Sequence, residues 1–145
     1  MPGSQNCNMQ PEEIVNKMMS ADYFSQWLGI TVLEVKPLYC RLGMTLRRDM
    51  LNGFGIAHGG ITFSLADSAL AFASNSNSRK SVSIETSISH LVSLKEKDEI
   101  IAEASCESET EKLGHYRVSV YKKTAPEKPV ALFKGIVYKT SKDWE

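Results

Sequence analysis

One stretch of the chain joins bare backbone to a carboxylate: Asn52-Gly-Phe54-Gly-Ile-Ala-His58-Gly59-Gly60-Ile-Thr-Phe63-Ser-Leu-Ala-Asp67-Ser-Ala. A helix beginning at or just after His58-Gly59 presents unpaired N–H groups and the positive end of its dipole there. Glycine lets another group approach that backbone closely. An anion, or an oxygen developing negative charge in a reaction, is what such an end binds. Asp67 falls two turns into the same helix, with Phe63, Ala66, Ala69, Leu70 and Ala71 around it. A carboxylate among such neighbours is costly to bury unless something uses or pairs it. Two readings stand: a functional acid, or one bonded to a backbone group or a hydroxyl such as Ser64 or Ser68.

Spacing constrains the functional reading. Gly59 and Asp67 are eight residues apart, which is ~12 Å along a helix axis. Groups acting on one carbon must come within ~3–3.5 Å of their reacting atoms. One helix therefore cannot bring both to a small centre. Two antiparallel copies related by a two-fold axis can, with Gly59 of one facing Asp67 of the other.

The elements that must position these residues read as follows. Pro11 to Met19 is a short helix, with Ile14, Val15, Met18 and Met19 at helical spacing behind Pro11-Glu12-Glu13. Asp22 caps a second turn ending near Gly29, with Tyr23, Phe24, Trp27 and Leu28 expected to face the core. Residues 30–36 form a strand. In the next, Leu38, Cys40, Leu42, Met44 and Leu46 alternate with Tyr39, Arg41, Thr45 and Arg47. Asn52 to Gly60, with four glycines, is an irregular loop. From Gly60 to about Ser76 the chain has no further Gly or Pro and is apolar on nearly every side, the mark of a helix buried all round. Strands are expected at Ser81–Leu94, Glu99–Glu109, Tyr116–Lys123 and Val130–Lys139, separated by polar turns. One apolar helix and a run of antiparallel strands make an α+β layout, a sheet wrapped around a central helix.

Composition bounds the rest. The 145 residues fit one domain: an extension over 1–20 carrying the short helix, a body over 21–140 and a tail over 141–145. With 42% hydrophobic and 23% charged residues a packed core is expected. Lys plus Arg equals Asp plus Glu at 17 each, so no general attraction to nucleic acid or an anionic membrane surface is expected. Met1 to Gln10 lacks the basic start and apolar run of a secretory signal, and no stretch is long enough to span a bilayer. Cys7, Cys40 and Cys106 have no CxxC spacing and are expected as thiols in a reducing cytoplasm. The scattered Cys and His give no zinc pattern, and no metal is expected.

The run NGFGIAHGG followed by FSLADSALAFASNS resembles the hotdog-fold thioesterases, specifically the PaaI type of phenylacetic acid degradation. ALFKGIVYK is similar to that family's last strand, and the likeness extends over about Tyr23 to Lys139. The resemblance implies a hotdog fold that pairs into dimers with a continuous sheet and doubles again to a homotetramer. It implies hydrolysis of an acyl-CoA, coenzyme A being part of the substrate and no other cofactor being needed. Asn52 and the Gly59 N–H would polarise the thioester carbonyl, and Asp67 of the partner chain would act as base or nucleophile. Ser83 would help position the water, and His58 would order the loop ahead of the critical glycine. One departure stands out. Relatives often carry an aromatic residue followed two positions on by Arg-Pro, where this chain has Ser89-His90-Leu91-Val92-Ser93.

Other residues carry weaker readings. Gly60 belongs to the same loop, and Phe54 and Phe63 could line an acyl pocket, although core packing explains buried aromatic residues equally well. Arg79 and Lys80 could meet CoA phosphates, against the commoner solvated-face reading. His90 and His115 are expected to pack or face solvent. Ser64 and Ser68 lack a GxSxG elbow and a paired base. Two rival functions remain. A hydratase or dehydratase of the same fold would place its His and acid differently. An acyl-CoA-binding module without turnover would not need Asn52, Gly59 and Asp67 together.

Overall fold

The computed structural model describes residues 9–145. Cys7 and the first part of the 1–20 extension lie outside the described residues. Two short helices, α1 (Pro11–Ala21) and α2 (Tyr23–Leu28), lead into strands β1 (Thr31–Lys36) and β2 (Tyr39–Thr45). A single 3-10 turn at Arg48–Met50 and a loop reach the central helix α3 (Gly59–Asn75). Strands β3 (Arg79–His90), β4 (Glu99–Glu109), β5 (Leu113–Lys122) and β6 (Pro129–Asp143) complete the chain. The sheet order is β1-β2-β4-β5-β6-β3, and every neighbouring pair is antiparallel. This is the α+β hotdog layout, with the sheet curved around α3.

Burial follows the sequence pattern. Leu65, Ala66, Ala69, Leu70, Phe72 and Ala73 of α3 are all 0% exposed, as a helix apolar on all sides requires. They meet the inward row of β2, where Cys40, Leu42 and Met44 alternate with more exposed residues. The closest approach is at β6. A β-carbon on Gly135 would stand 2.5 Å from Leu70 Cδ2, so the helix seats against this strand only because position 135 has no side chain.

The short helices differ in part from expectation. Asp22 accepts from the Ser25 N–H at 2.9 Å and Gly29 closes α2 with φ +76°, as the cap and glycine predict. Ser25 and Leu28 are the buried residues of α2, while Tyr23, Phe24 and Trp27 are exposed at 76%, 54% and 48%. Six residues offer only one narrow inward stripe, and the i,i+3 pair Ser25/Leu28 fills it. Phe24 stacks on Trp27 instead, and the Arg47 guanidinium lies over the Trp27 ring.

Strand limits also move. β3 leaves the sheet after His90 instead of Leu94, where the Leu91 and Val92 N–H groups converge on one carbonyl, Val130 O. β5 starts at Leu113, three residues before the expected Tyr116. β6 continues to Asp143, because β3 starts early and pairs Arg79 with Asp143. No helix of the described residues is long and apolar enough to cross a membrane.

Candidate active site

The loop before α3 is built from its own hydrogen bonds. Asn52 Oδ1 accepts from the Phe54 N–H at 2.9 Å and the Ile56 N–H at 3.4 Å. Asn52 N donates to Ile56 O, and Gly55 completes the turn at φ +77°. Asn52 thus spends its carbonyl oxygen on the loop and keeps its Nδ2 donor. Phe54 sits at the tip, 90% exposed. His58 N donates to Met50 O and Ala57 N to Leu94 O, tying the end of the loop to the body.

His58 is the N-cap of α3. Its Nδ1 accepts from the Gly60 N–H at 2.8 Å, which places the ring proton of the neutral side chain on Nε2. Gly60 therefore has its amide engaged. The Gly59 N–H, first of the helix, donates to nothing among the described residues. Phe63 turns inward and meets Phe133 edge to face at 5.4 Å, which is core packing.

Asp67 lies half-buried in the middle of α3. Neither neighbouring hydroxyl serves it. Ser64 Oγ donates to Gly60 O at 2.6 Å, and Ser68 Oγ bonds Ser25 Oγ at 2.8 Å. Burial first, and the nearby Asp22 carboxylate second, hold the Asp67 carboxyl above the usual aspartate range. Its side chain opens onto a cavity of about 260 Å³ shared with Ser83, Met18, Leu70, Asn75 and Val137. Asp67 and Ser83 are thus brought together, while Asn52, Gly59 and His58 gather at the other end of the helix segment.

Arg79 and Lys80 are occupied otherwise. The Arg79 guanidinium donates to the carbonyls of Thr140, Glu111 and Lys139 at 2.9–3.1 Å. Lys80 Nζ lies 4.9 Å above the Trp144 ring. Both hold the C-terminal strand in place.

Two residues with no place in the sequence-based site stand at the Gly59 end. A β-carbon on Gly59 would be 3.2 Å from His90 Nε2, so the imidazole covers that glycine directly. Thr62 Oγ1 lies within hydrogen-bond distance of both Gly59 O (3.1 Å) and His90 Nδ1 (3.2 Å). His115, the other strand histidine, is exposed on β5.

A half-buried, unpartnered acid beside a polar cavity, and an open amide at a glycine-rich helix start, are the parts of a hydrolytic site on a hotdog scaffold. Residues 54–127 match the model of the thioesterase superfamily. The chain is 32% identical over 118 residues to the acyl-coenzyme A thioesterase PaaI of Escherichia coli, covering 81% of this chain and 83% of that protein. It superposes on the structure of the Escherichia coli PaaI protein from the phenylacetic acid degradation operon with a TM-score of 0.87 at 28% identity, covering 92% of this chain and 95% of the other. A variant of the phenylacetic acid degradation protein PaaI from Thermus thermophilus matches with a TM-score of 0.77 at 33% identity, covering 82% of this chain and all of that one. The chain belongs to the thioesterase superfamily and is an enzyme of its PaaI-like, thioester-hydrolysing kind.

Proposed function

We propose that this protein hydrolyses an acyl-CoA, with an aryl or medium-chain acyl group, at a site shared between two chains. The observation that carries the reading is Asp67: half-buried, without a hydrogen-bond partner among the described residues, and facing a cavity with Ser83. The open Gly59 N–H is too far along the same helix to act with it. Strand β3 supplies the means of pairing. It ends the sheet with one edge unpaired, and Val82 and Ile84 on it are 56% and 59% exposed. Pairing β3 with its copy extends the sheet and lays two α3 helices antiparallel. The reading carries with it a doubling of dimers to a tetramer and a cytoplasmic setting, in keeping with the free thiols Cys40 and Cys106.

In this site the thioester oxygen accepts from the Gly59 N–H and from Asn52 Nδ2. Asp67 of the partner chain takes a proton from water as the water oxygen bonds the acyl carbon, with Ser83 holding that water. The tetrahedral oxyanion stays on its donors. The C–S bond then breaks, and the thiolate leaves as coenzyme A with the proton from Asp67. In the alternative route Asp67 itself attacks the carbonyl and water opens the resulting anhydride. Heavy oxygen incorporated from water into Asp67 during turnover would mark that second route.

Complementation tests the shared site. Asp67→Asn removes the acid. Gly59→Pro removes the N–H at the first helical position, where proline is well tolerated, and sets its ring against the exposed His90 side chain, which must give way; the extended His58 backbone at ψ 136° accepts a following proline. Each variant alone should release little thiol from a panel of acyl-CoAs. Mixed, unfolded together and refolded, they should recover about one quarter of wild-type turnover, since half the dimers are mixed and each carries one intact site. Recovery of nothing, from variants that fold and pair, would sink the shared site. Water addition to an enoyl-CoA, or binding without turnover, would support the rival functions instead.

A further inference from the structure

We infer that His90 is a further catalytic residue: its Nε2–H is a second donor to the thioester oxygen, beside the Gly59 N–H. The inference deepens the reading above and rests on Gly59 being the carbonyl-binding end.

Three observations converge on it. The first is position. The bond that a helical residue makes to its β-carbon tilts toward the helix N-terminus, the direction in which the N–H also points. His90 Nε2 lies 3.2 Å from where that carbon would be on Gly59, so the ring flanks the open amide. The second is anchoring. Nδ1 is held by Thr62 Oγ1 at 3.2 Å, on the first turn of α3 itself. That contact ties the imidazole to the start of the helix. The third is the unengaged nitrogen. Nε2 has no partner among the described residues, and His90 is an exposed residue at the end of β3. The ring nitrogen nearest Gly59 is thus the one left for a ligand.

Thr62 suits either tautomer of His90. Its hydroxyl has a single proton and two acceptors in reach, Gly59 O and His90 Nδ1. A carbonyl oxygen arriving at Gly59 is an acceptor and favours the form with hydrogen on Nε2. In that form the Thr62 proton turns to Nδ1, and Gly59 O keeps its helical bond from the amide four residues on. No net proton is gained or lost. The neutral imidazole donates, and the oxyanion gains a second hydrogen bond as the tetrahedral centre forms.

His90→Phe keeps an aromatic ring over Gly59 and deletes the donor. We expect kcat to fall and KM to rise about three-fold each, so that kcat/KM drops about 10-fold, the effect of one neutral hydrogen bond made to the bound carbonyl and tightened in the transition state. His90→Gln, which restores an N–H, should recover part of the loss, and Thr62→Val, which frees the ring, should cost less than His90→Phe. Binding supplies an independent readout. In an Asp67→Asn background the added His90→Phe change should weaken an intact acyl-CoA several-fold, while an S-alkyl thioether of CoA, which lacks the carbonyl, binds unchanged. Wild-type kcat in folded His90→Phe, or equal weakening of thioester and thioether, would overturn the role and leave His90 as packing. The carbonyl-dependent affinity decides the point even if the wild-type protein hydrolyses no acyl-CoA, a result that would instead remove the proposed function.

Discussion

Asp67 and Asn75 stand on the same buried helix, and their surroundings are opposite. Asn75 Nδ2 donates to Ala71 O and Ser81 O, and its Oδ1 accepts from Ser81 N and Trp144 Nε1, all at 2.8–3.0 Å. Every polar atom of that side chain is used to join α3, the start of β3 and the chain end. Asp67, two turns earlier and lining the same cavity, has no hydrogen bond among the described residues and a carboxyl held above its ordinary range by burial. One helix thus carries a side chain whose bonds hold the fold and another whose lack of bonds leaves it available for chemistry.

Paired substitutions put that contrast to the test. Asp67→Asn should lower turnover by at least ~100-fold, the scale of a lost catalytic base. It should also leave the melting temperature at pH 7 unchanged or higher. The sign follows from the raised carboxyl. The folded state holds the proton more tightly than the unfolded chain, so wild-type stability falls as pH rises from the unfolded pKa through the folded one. The neutral amide avoids this loss, and the two proteins should converge at acid pH. Melting curves at several pH values, with thiol release measured alongside, check both halves. Wild-type turnover in the variant would retire Asp67 from the mechanism.

Asn75→Ala should do the reverse. It strands the buried Ser81 N–H, takes one donor from each of the Ala71 and Ser81 carbonyls and removes the acceptor of the Trp144 indole N–H, at a cost of about 2–3 kcal/mol for such a network. Denaturant unfolding should show the lower midpoint, while kcat per folded molecule stays within a few-fold. A loss of turnover as large as that of Asp67→Asn, in protein still folded, would mean that the Asn75 end also performs chemistry and the contrast is false.

The amino-acid sequence makes the helix itself readable, because residues 61–75 are rich in Ala and Leu and hold no Gly or Pro. The Asp22 cap, the Gly29 stop and the alternation of β2 are equally plain. Asp67 and Gly59 announce themselves by residue type in an unusual setting, while Asn52 and Ser83 enter only through the family resemblance. The grouping of these residues does not announce itself, since it depends on strand faces. Ser83 and His90 are seven residues apart, so simple alternation puts them on opposite faces. The bulge between Ser83 and Glu85 shifts the register, and Ser83 reaches the Asp67 cavity while His90 reaches Gly59. The fourfold satisfaction of Asn75 was hidden for a similar reason, because one of its partners is the indole of Trp144 at the far end of the chain.

The smallest expected effect tests how the two kinds of polar residue communicate. Asp22 belongs to the structural kind: its carboxylate caps α2 and accepts from Ser25 Oγ at 2.6 Å, and Ser25 in turn bonds Ser68, the residue after Asp67. Yet its charge is the second cause, after burial, of the raised Asp67 carboxyl. Asp22→Asn keeps a side-chain oxygen for the Ser25 N–H and the shape of the cap, removes the charge, and turns the contact with Ser25 Oγ into one in which the amide donates and the hydroxyl donates onward to Ser68. With one repulsive neighbour gone, Asp67 should ionise at lower pH. If Asp67 must be a carboxylate to act, the acid limb of kcat/KM should move to lower pH by a fraction of a unit, with the plateau at neutral pH kept. Burial, the larger cause, remains, so the limb should still lie above that of an ordinary aspartate. A limb that stays in place would show that the structural network and the acid beside it are electrostatically separate. A shift toward higher pH would contradict Asp67 as the group whose ionisation the rate follows.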